Sequence, residues 1–171
     1  VLLSGDVGFY SGARRLYPLL SRHEVEAIPG VSSLAYFCAR LCVPWQDVFL
    51  VSAHGRGHNA PGAVQSHERT FVLTGGSYRA GDLCTQLTQW GLGHVAVHVG
   101  ERLSYPDERI VSGAARDLAG RDFDSLAVVL AENPAPIRRP YSAPALPDSA
   151  FCRDRVPMTK EEIRALVLAK L

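Results

Sequence analysis

Residues 1–42 alternate twice between a short apolar strand pattern and an amphipathic helical pattern, and this repeat points to an α/β fold. Val1-Leu2-Leu3 breaks at Ser4-Gly5-Asp6, after which Phe9, Ala13, Leu16 and Leu20 recur at helical spacing. Glu24 to Ile28 alternates as a second strand and stops at Pro29-Gly30. Val31, Leu34, Ala35, Cys38, Leu41 and Cys42 then mark a second helix, with Ser32 and Ser33 placed to cap its start. A strand that ends in Gly-Asp and feeds a helix leaves free N–H groups and one carboxylate at its C-terminal end. Open α/β sheets bind ligands at that end. Two such units make only half of a doubly wound sheet, so this first subdomain is expected to be incomplete.

A second pattern starts after Val43-Pro44-Trp45-Gln46. Strands are expected at Val48–Val51, Thr70–Thr74, His94–Val99, Glu108–Ser112 and Ser125–Leu130. Helices are expected at Ala60–Glu68, Ala80–Trp90 and Ala114–Ala119, with Gly91 as the cap of the middle one. Connections of both kinds, helical and direct, predict a mixed sheet. The stretch 133–148 holds Pro134, Pro136, Pro140, Pro144 and Pro147 and reads as a stiff linker. Beyond it, Thr159 and Glu162 have capping-box spacing. The helix they would start has an apolar face of Ile163, Leu166, Val167 and Leu171 that needs a partner. The expected division is 1–44, the second half of an N-terminal α/β subdomain; 45–132, a second α/β subdomain; 133–150, the linker; and 151–171, the start of a further, truncated domain.

Charge and composition exclude several classes. The net charge is +1; no lysine precedes Lys160, and arginine keeps the balance with Asp and Glu interspersed, so there is no polybasic face for nucleic acid. No apolar run has the length of a membrane span, and the expected location is the cytoplasm. Cys38 and Cys42 stand one helical turn apart, but no second pair matches them. With Cys84 and Cys152 they read as core residues, and no metal site or disulfide is expected. His54 and His58 are four apart, yet Gly55, Gly57 and Pro61 argue against a helix that would bring them together.

SGDVGFYSGA, PGVSSLAYFCARLCVPWQD, SAHGR, FVLTGG and VGERLSYPDERI occur in this order, and together they resemble the tetrapyrrole methylases, in particular the branch that methylates C5 of a precorrin or cobalt-precorrin ring in cobalamin biosynthesis. The resemblance covers Val1 to about Asn133. The tail, PDSAFCRDRVPMTKEEIRALVLAKL, resembles the start of a C15-methylating, decarboxylating domain found fused behind it in some members. The resemblance implies a two-subdomain fold with S-adenosylmethionine, the methyl donor, held between the subdomains. It also implies a tetrapyrrole substrate, a homo-oligomer, and a fused or separate C15-methylating decarboxylase partner. The family's opening strand and glycine-rich loop are missing, so the chain is expected to bind the donor weakly or not at all and to be inactive by itself. The alternatives are a methylase of this fold acting on another tetrapyrrole or on RNA, and a non-catalytic dimerisation or support module.

Carried over residue by residue, the resemblance implies donor contacts from Gly5, Asp6, Phe9, Ser32, Ser33, Thr74, Gly75 and Gly100. Six of them have a plainer reading beside them. Asp6 caps the helix that follows; Ser32 and Ser33 cap theirs; Thr74, Gly75 and Gly100 make ordinary strand-end turns. A substrate rich in carboxylates implies Arg56, Arg102, Arg109 and His54 along its trough, with surface ion pairs as the alternative for the arginines. Glu101, Asp107 and Glu108 read as structural or solvated acids rather than as a hydrolytic pair. No side chain stands out as a catalytic base.

Overall fold

The computed structural model describes residues 1–53, 59–137, 146–151, 157–168 and 170. Two compact units result, Val1–Pro136 and Ile137–Leu171.

The first unit is built on a five-stranded mixed sheet. Its strands are β1 (Phe49–Ser52), β2 (Arg69–Leu73), β3 (Ala96–Glu101), β4 (Arg109–Ala114) and β5 (Ala127–Glu132), in the order β1-β2-β5-β3-β4. Only β1 and β2 run parallel, and the other pairs are antiparallel. The central strands are apolar on both faces, as a sheet covered on both sides requires. Val72, Val97, Val99 and Val129 face helices α3 (Ala60–Ser66), α4 (Ala80–Gln89) and α5 (Ala115–Leu118), where Val64, Leu83, Leu87 and Leu118 complete one core. Phe71, Val128 and Leu130 face the other way, against Leu34, Phe37 and Cys38 of helix α2 (Ser33–Arg40). Phe9 joins this second core, edge-on to Phe71 at 6.1 Å between ring centroids.

Local chemistry sets the element ends. The Asn59 side chain accepts the Gly62 N–H at 2.9 Å and opens α3. The Asp82 carboxylate accepts the Arg79 N–H at 2.8 Å at the start of α4, and Gly91, at φ +77°, ends that helix in the left-handed conformation glycine takes without strain. Asn133 is buried after β5; its side-chain amide donates to the Val64 carbonyl at 2.9 Å and closes the sheet against α3.

The N-terminal third departs from the sequence expectation. Val1–Leu3 and Glu24–Ile28 form no strands, and the helix expected from Phe9 to Leu20 shrinks to α1 (Ala13–Leu16). A strand persists only where a neighbour pairs its N–H and C=O groups, and neither segment enters a ladder among the described residues. Val1 and Leu2 are almost fully exposed. Pro18 has no N–H with which to continue α1, and the chain passes into turns. Helix α2 is also shorter than its apolar pattern, leaving Val31 exposed and Cys42 in a turn at φ +57°.

In the second unit, helix α6 (Glu161–Leu168) begins one residue later than the capping-box spacing of Thr159 and Glu162 requires. Glu161 instead accepts the Asp148 N–H, and Arg164 pairs with Asp148 at 2.6 Å and lies over the Phe151 ring. Ile163, Leu166, Val167 and Leu168 remain about half exposed. No helix among the described residues is long and apolar enough to cross a membrane.

Candidate functional site

The turn at Asp6 is the first piece of the site. One carboxylate oxygen of Asp6 accepts the Gly8 N–H at 2.8 Å, and its carbonyl accepts the Phe9 N–H at 3.1 Å. Asp6 therefore folds a tight turn rather than capping a helix. Gly5 sits at φ +72°, and its carbonyl lies so near Gly30 that a Cβ on Gly30 would stand 2.4 Å from it. The two extended segments thus touch at their glycines, without a ladder. Around them lies an apolar hollow of about 500 Å³ that Gly5, Leu3, Val25 and Ile28 help to line.

Next to it, sharing Val7 and Tyr17, a larger cleft of about 990 Å³ opens between the Asp6 turn and the sheet. Phe9, Leu50 and Leu73 supply apolar walls, and Ser33 and Ser52 supply hydroxyls. β1 and β2 are parallel, so Ser52 and Leu73 present their C-terminal ends to this cleft, the end at which α/β sheets bind ligands. The Ser32 hydroxyl caps α2 by accepting the Ala35 N–H at 3.1 Å, whereas Ser33 faces the cleft.

The other predicted residues have structural partners. Thr74 is buried and spends its hydroxyl on the Ala127 carbonyl at 2.7 Å. Gly75 opens a turn closed by reciprocal backbone hydrogen bonds with Tyr78. Gly100 lies under α2: a Cβ there would meet the Phe37 ring at 2.6 Å. Arg109 pairs with the buried carboxylate of Glu101, which also accepts the Asp124 N–H at 2.7 Å. Arg102 pairs with Asp107 at 2.6 Å and lies over the Tyr105 ring. His54 and Arg56 fall outside the described residues, as do His58 and Cys152. Cys38 and Cys84 are buried, and burial pushes the Cys84 thiol up to about 12, so both belong to the core.

Sequence reasoning passed over two features. Arg14 and Arg15 of α1 line the larger cleft; their signal was adjacency to the Ser4-Gly5-Asp6 turn. The second is Glu108, which accepts the Ser104 N–H at 2.8 Å, the Tyr36 hydroxyl at 2.7 Å and the Arg40 guanidinium at 2.8 Å. It ties the β3–β4 loop to α2. The Ser104 N–H, then the Tyr36 hydroxyl, hold the Glu108 carboxyl below the usual carboxylate range. A lowered folded-state pKa means that this stabilisation is present above the ordinary value, about 4.3, and is lost as pH falls through the folded one. Wild type is expected to be more stable than Glu108→Gln at pH 7, with the gap closing below pH 4. Urea titrations at the two pH values check this; a gap independent of pH would remove Glu108 as the cause.

A two-sided α/β sheet with a cleft at its parallel strand ends defines the class of ligand-binding α/β domains. The model for Tetrapyrrole (Corrin/Porphyrin) Methylases matches residues 1–119, and the chain belongs to that family. It is 32% identical over 110 residues to a cobalt-precorrin-7 C(5)-methyltransferase of Salmonella typhimurium, covering 64% of this chain and 54% of the relative. It is 31% identical over its whole length to a decarboxylating precorrin-6Y C(5,15)-methyltransferase of a Sinorhizobium species, covering 42% of that protein. The chain thus spans about half the length of these curated relatives. Among solved structures, a uroporphyrin-III C-methyl transferase from Thermus thermophilus, complexed with S-adenyl homocysteine, superposes with a TM-score of 0.59 at 22% identity, over 75% of this chain and 60% of that one. A precorrin-6Y methylase from Archaeoglobus fulgidus gives a TM-score of 0.52 at 21% identity, over 75% and 58%. These likenesses establish the fold.

Proposed function

We propose that this chain carries the donor-side face of a cytoplasmic, S-adenosylmethionine-dependent C-methyltransferase that methylates C5 of a precorrin or cobalt-precorrin macrocycle. The observation that carries the reading is the cleft bounded by the Asp6 turn, Ser33 and the parallel strand ends. The match through the tail to a decarboxylating relative supports a C15-methylating domain behind residue 150. Residues 1–44 and 45–132 would then be the two subdomains that flank the donor, joined by the 133–150 linker to that domain, in a homo-oligomeric enzyme.

The residues fit the donor. Asp6 commits one carboxylate oxygen to Gly8, leaving the other to accept an ammonium group. Gly76, after the β2 end, is in the left-handed region at φ +64°, with nothing within 4 Å of where a Cβ would stand, so the backbone there is open to close approach. Thr74 would contribute backbone only, since its hydroxyl is spent. Bound there, the donor supplies an electrophilic methyl on a sulfonium. The leaving group is a neutral thioether and needs no acid. The chain's work is to hold two reactants in line and exclude water.

The test is two-dimensional NMR of the 171-residue chain titrated with S-adenosylhomocysteine. Weak, saturable shifts are expected at Asp6, Ser33, Gly75 and Gly76. Absence of shifts at these amides, or shifts confined to the α3–α5 face, would overturn the reading.

A further inference from the structure

We infer that Arg14 and Arg15 are the carboxylate clamp of the larger cleft, so that a tetrapyrrole bearing several carboxylates docks there through these two side chains and not through Arg102 or Arg109. This rests on the proposed function for the identity of the ligand; the clamp itself rests on charge and geometry.

Four observations converge. First, Arg14 and Arg15 both line the cleft, and no Asp or Glu is among its lining residues. An uncompensated positive wall selects an anion. Second, the arginines of α2, β2, the β3–β4 loop and β4 are neutralised: Arg40 by Glu108, Arg69 by Glu132, Arg102 by Asp107 and Arg109 by Glu101. Among the described residues, no carboxylate pairs with Arg14 or Arg15. A guanidinium already in an ion pair must give up that partner before it holds a ligand; Arg14 and Arg15 have no such partner among the described residues. Third, successive residues on a helix diverge by about 100°. Neighbouring arginines therefore reach separate points, which suits carboxylates spread around a ring better than a single phosphate. Fourth, the cleft's volume, about 990 Å³, is at the top of the usual range for small-molecule sites, about 300–1,000 Å³. Its Phe9, Leu50 and Leu73 walls offer apolar surface to a macrocycle between its charged arms.

The experiment uses an octacarboxylate porphyrin as probe, titrated into the 171-residue chain and followed by porphyrin absorbance at several salt concentrations. The double variant Arg14→Gln/Arg15→Gln is expected to bind at least tenfold more weakly, with a shallower salt dependence. A charge-matched control, Arg22→Gln/Arg121→Gln, removes two arginines that line neither cavity and is expected to bind as wild type. Arg14→Lys/Arg15→Lys is expected to recover part of the loss, since a point charge replaces a planar fork. Circular dichroism melts establish that all variants fold. Equal binding by the double variant and wild type, or equal losses in the double variant and the control, would overturn the clamp. So would a wild type that binds no porphyrin; if S-adenosylhomocysteine still shifts the Asp6 and Ser33 amides, the donor reading survives. Porphyrin bound through Arg14 and Arg15, with no response to S-adenosylhomocysteine, would leave the clamp standing and remove methyl transfer.

Discussion

Phe37→Ala is expected to lower the unfolding free energy of the first unit by about 3–5 kcal/mol, the range for truncating a buried aromatic side chain. Phe37 is completely buried, and with Leu34 and Cys38 it packs α2 against Phe71, Val128 and Leu130 of the sheet. The fit depends on a residue one layer below. A Cβ on Gly100 would lie 2.6 Å from the Phe37 ring and 2.9 Å from the Leu103 side chain. Gly100→Ala is therefore expected to cost about 1–3 kcal/mol by overpacking. The two changes share one space, so they should not add: Phe37→Leu, which shortens the ring's reach, is expected to relieve part of the Gly100→Ala cost. Urea unfolding of Phe37→Leu, Gly100→Ala and the Phe37→Leu/Gly100→Ala double variant measures the coupling, and Phe37→Ala is unfolded beside them. A loss below 1 kcal/mol for Phe37→Ala would mean that α2 is not anchored through this residue. The functional consequence runs through Ser33, which α2 holds at the cleft. Loosening α2 should weaken the Ser33 response to S-adenosylhomocysteine before it abolishes folding.

The sheet was legible in the residues because its strands carry their own evidence. Phe71, Val72, Val97, Val99, Val129 and Leu130 are apolar runs between turn residues, and burial on both faces demands such runs. The first 32 residues were not legible in the same way. Val1–Leu3 and Glu24–Ile28 have strand composition, but a strand is a property of a pair, and no local pattern reveals whether the pair is present. The site showed a related asymmetry. Gly5, Gly30, Gly75 and Gly100 stood out, because a glycine at a strand end always requires a reason. The reasons themselves were non-local: Gly100 serves the Phe37 ring, and Gly30 serves the Gly5 carbonyl. Arg109 and Glu101 oppose each other only because β3 and β4 pair in that register. Eight residues apart in sequence, they gave no sign that one would neutralise the other. Arg14 and Arg15 were in view beside the Asp6 turn, and their significance depended on seeing which arginines were already paired.

Gly30→Ala is expected to be far more damaging than Gly5→Ala, although the two glycines touch. At Gly30 a Cβ would stand 2.4 Å from the Gly5 carbonyl oxygen, and the obstacle is backbone, which no rotamer change can move aside. At Gly5 the nearest atom to a Cβ is the Val31 carbonyl oxygen at an ordinary 3.5 Å; the cost there is conformational only, since φ is +72°. A left-handed alanine costs about 1–2 kcal/mol. Gly30→Ala must instead push residues 4–6 away from residues 29–31, which carries Asp6 out of place and opens the start of α2. The expected result is a stability loss at the upper end of the overpacking range, about 3 kcal/mol. Faster amide exchange at both segments and no shift of Asp6 with S-adenosylhomocysteine should accompany it. Gly5→Ala should retain the Asp6 shift. Hydrogen exchange and the NMR titration on both variants separate the outcomes. Equal damage at the two positions would mean that backbone conformation, rather than the contact between the two segments, shapes this side of the cleft.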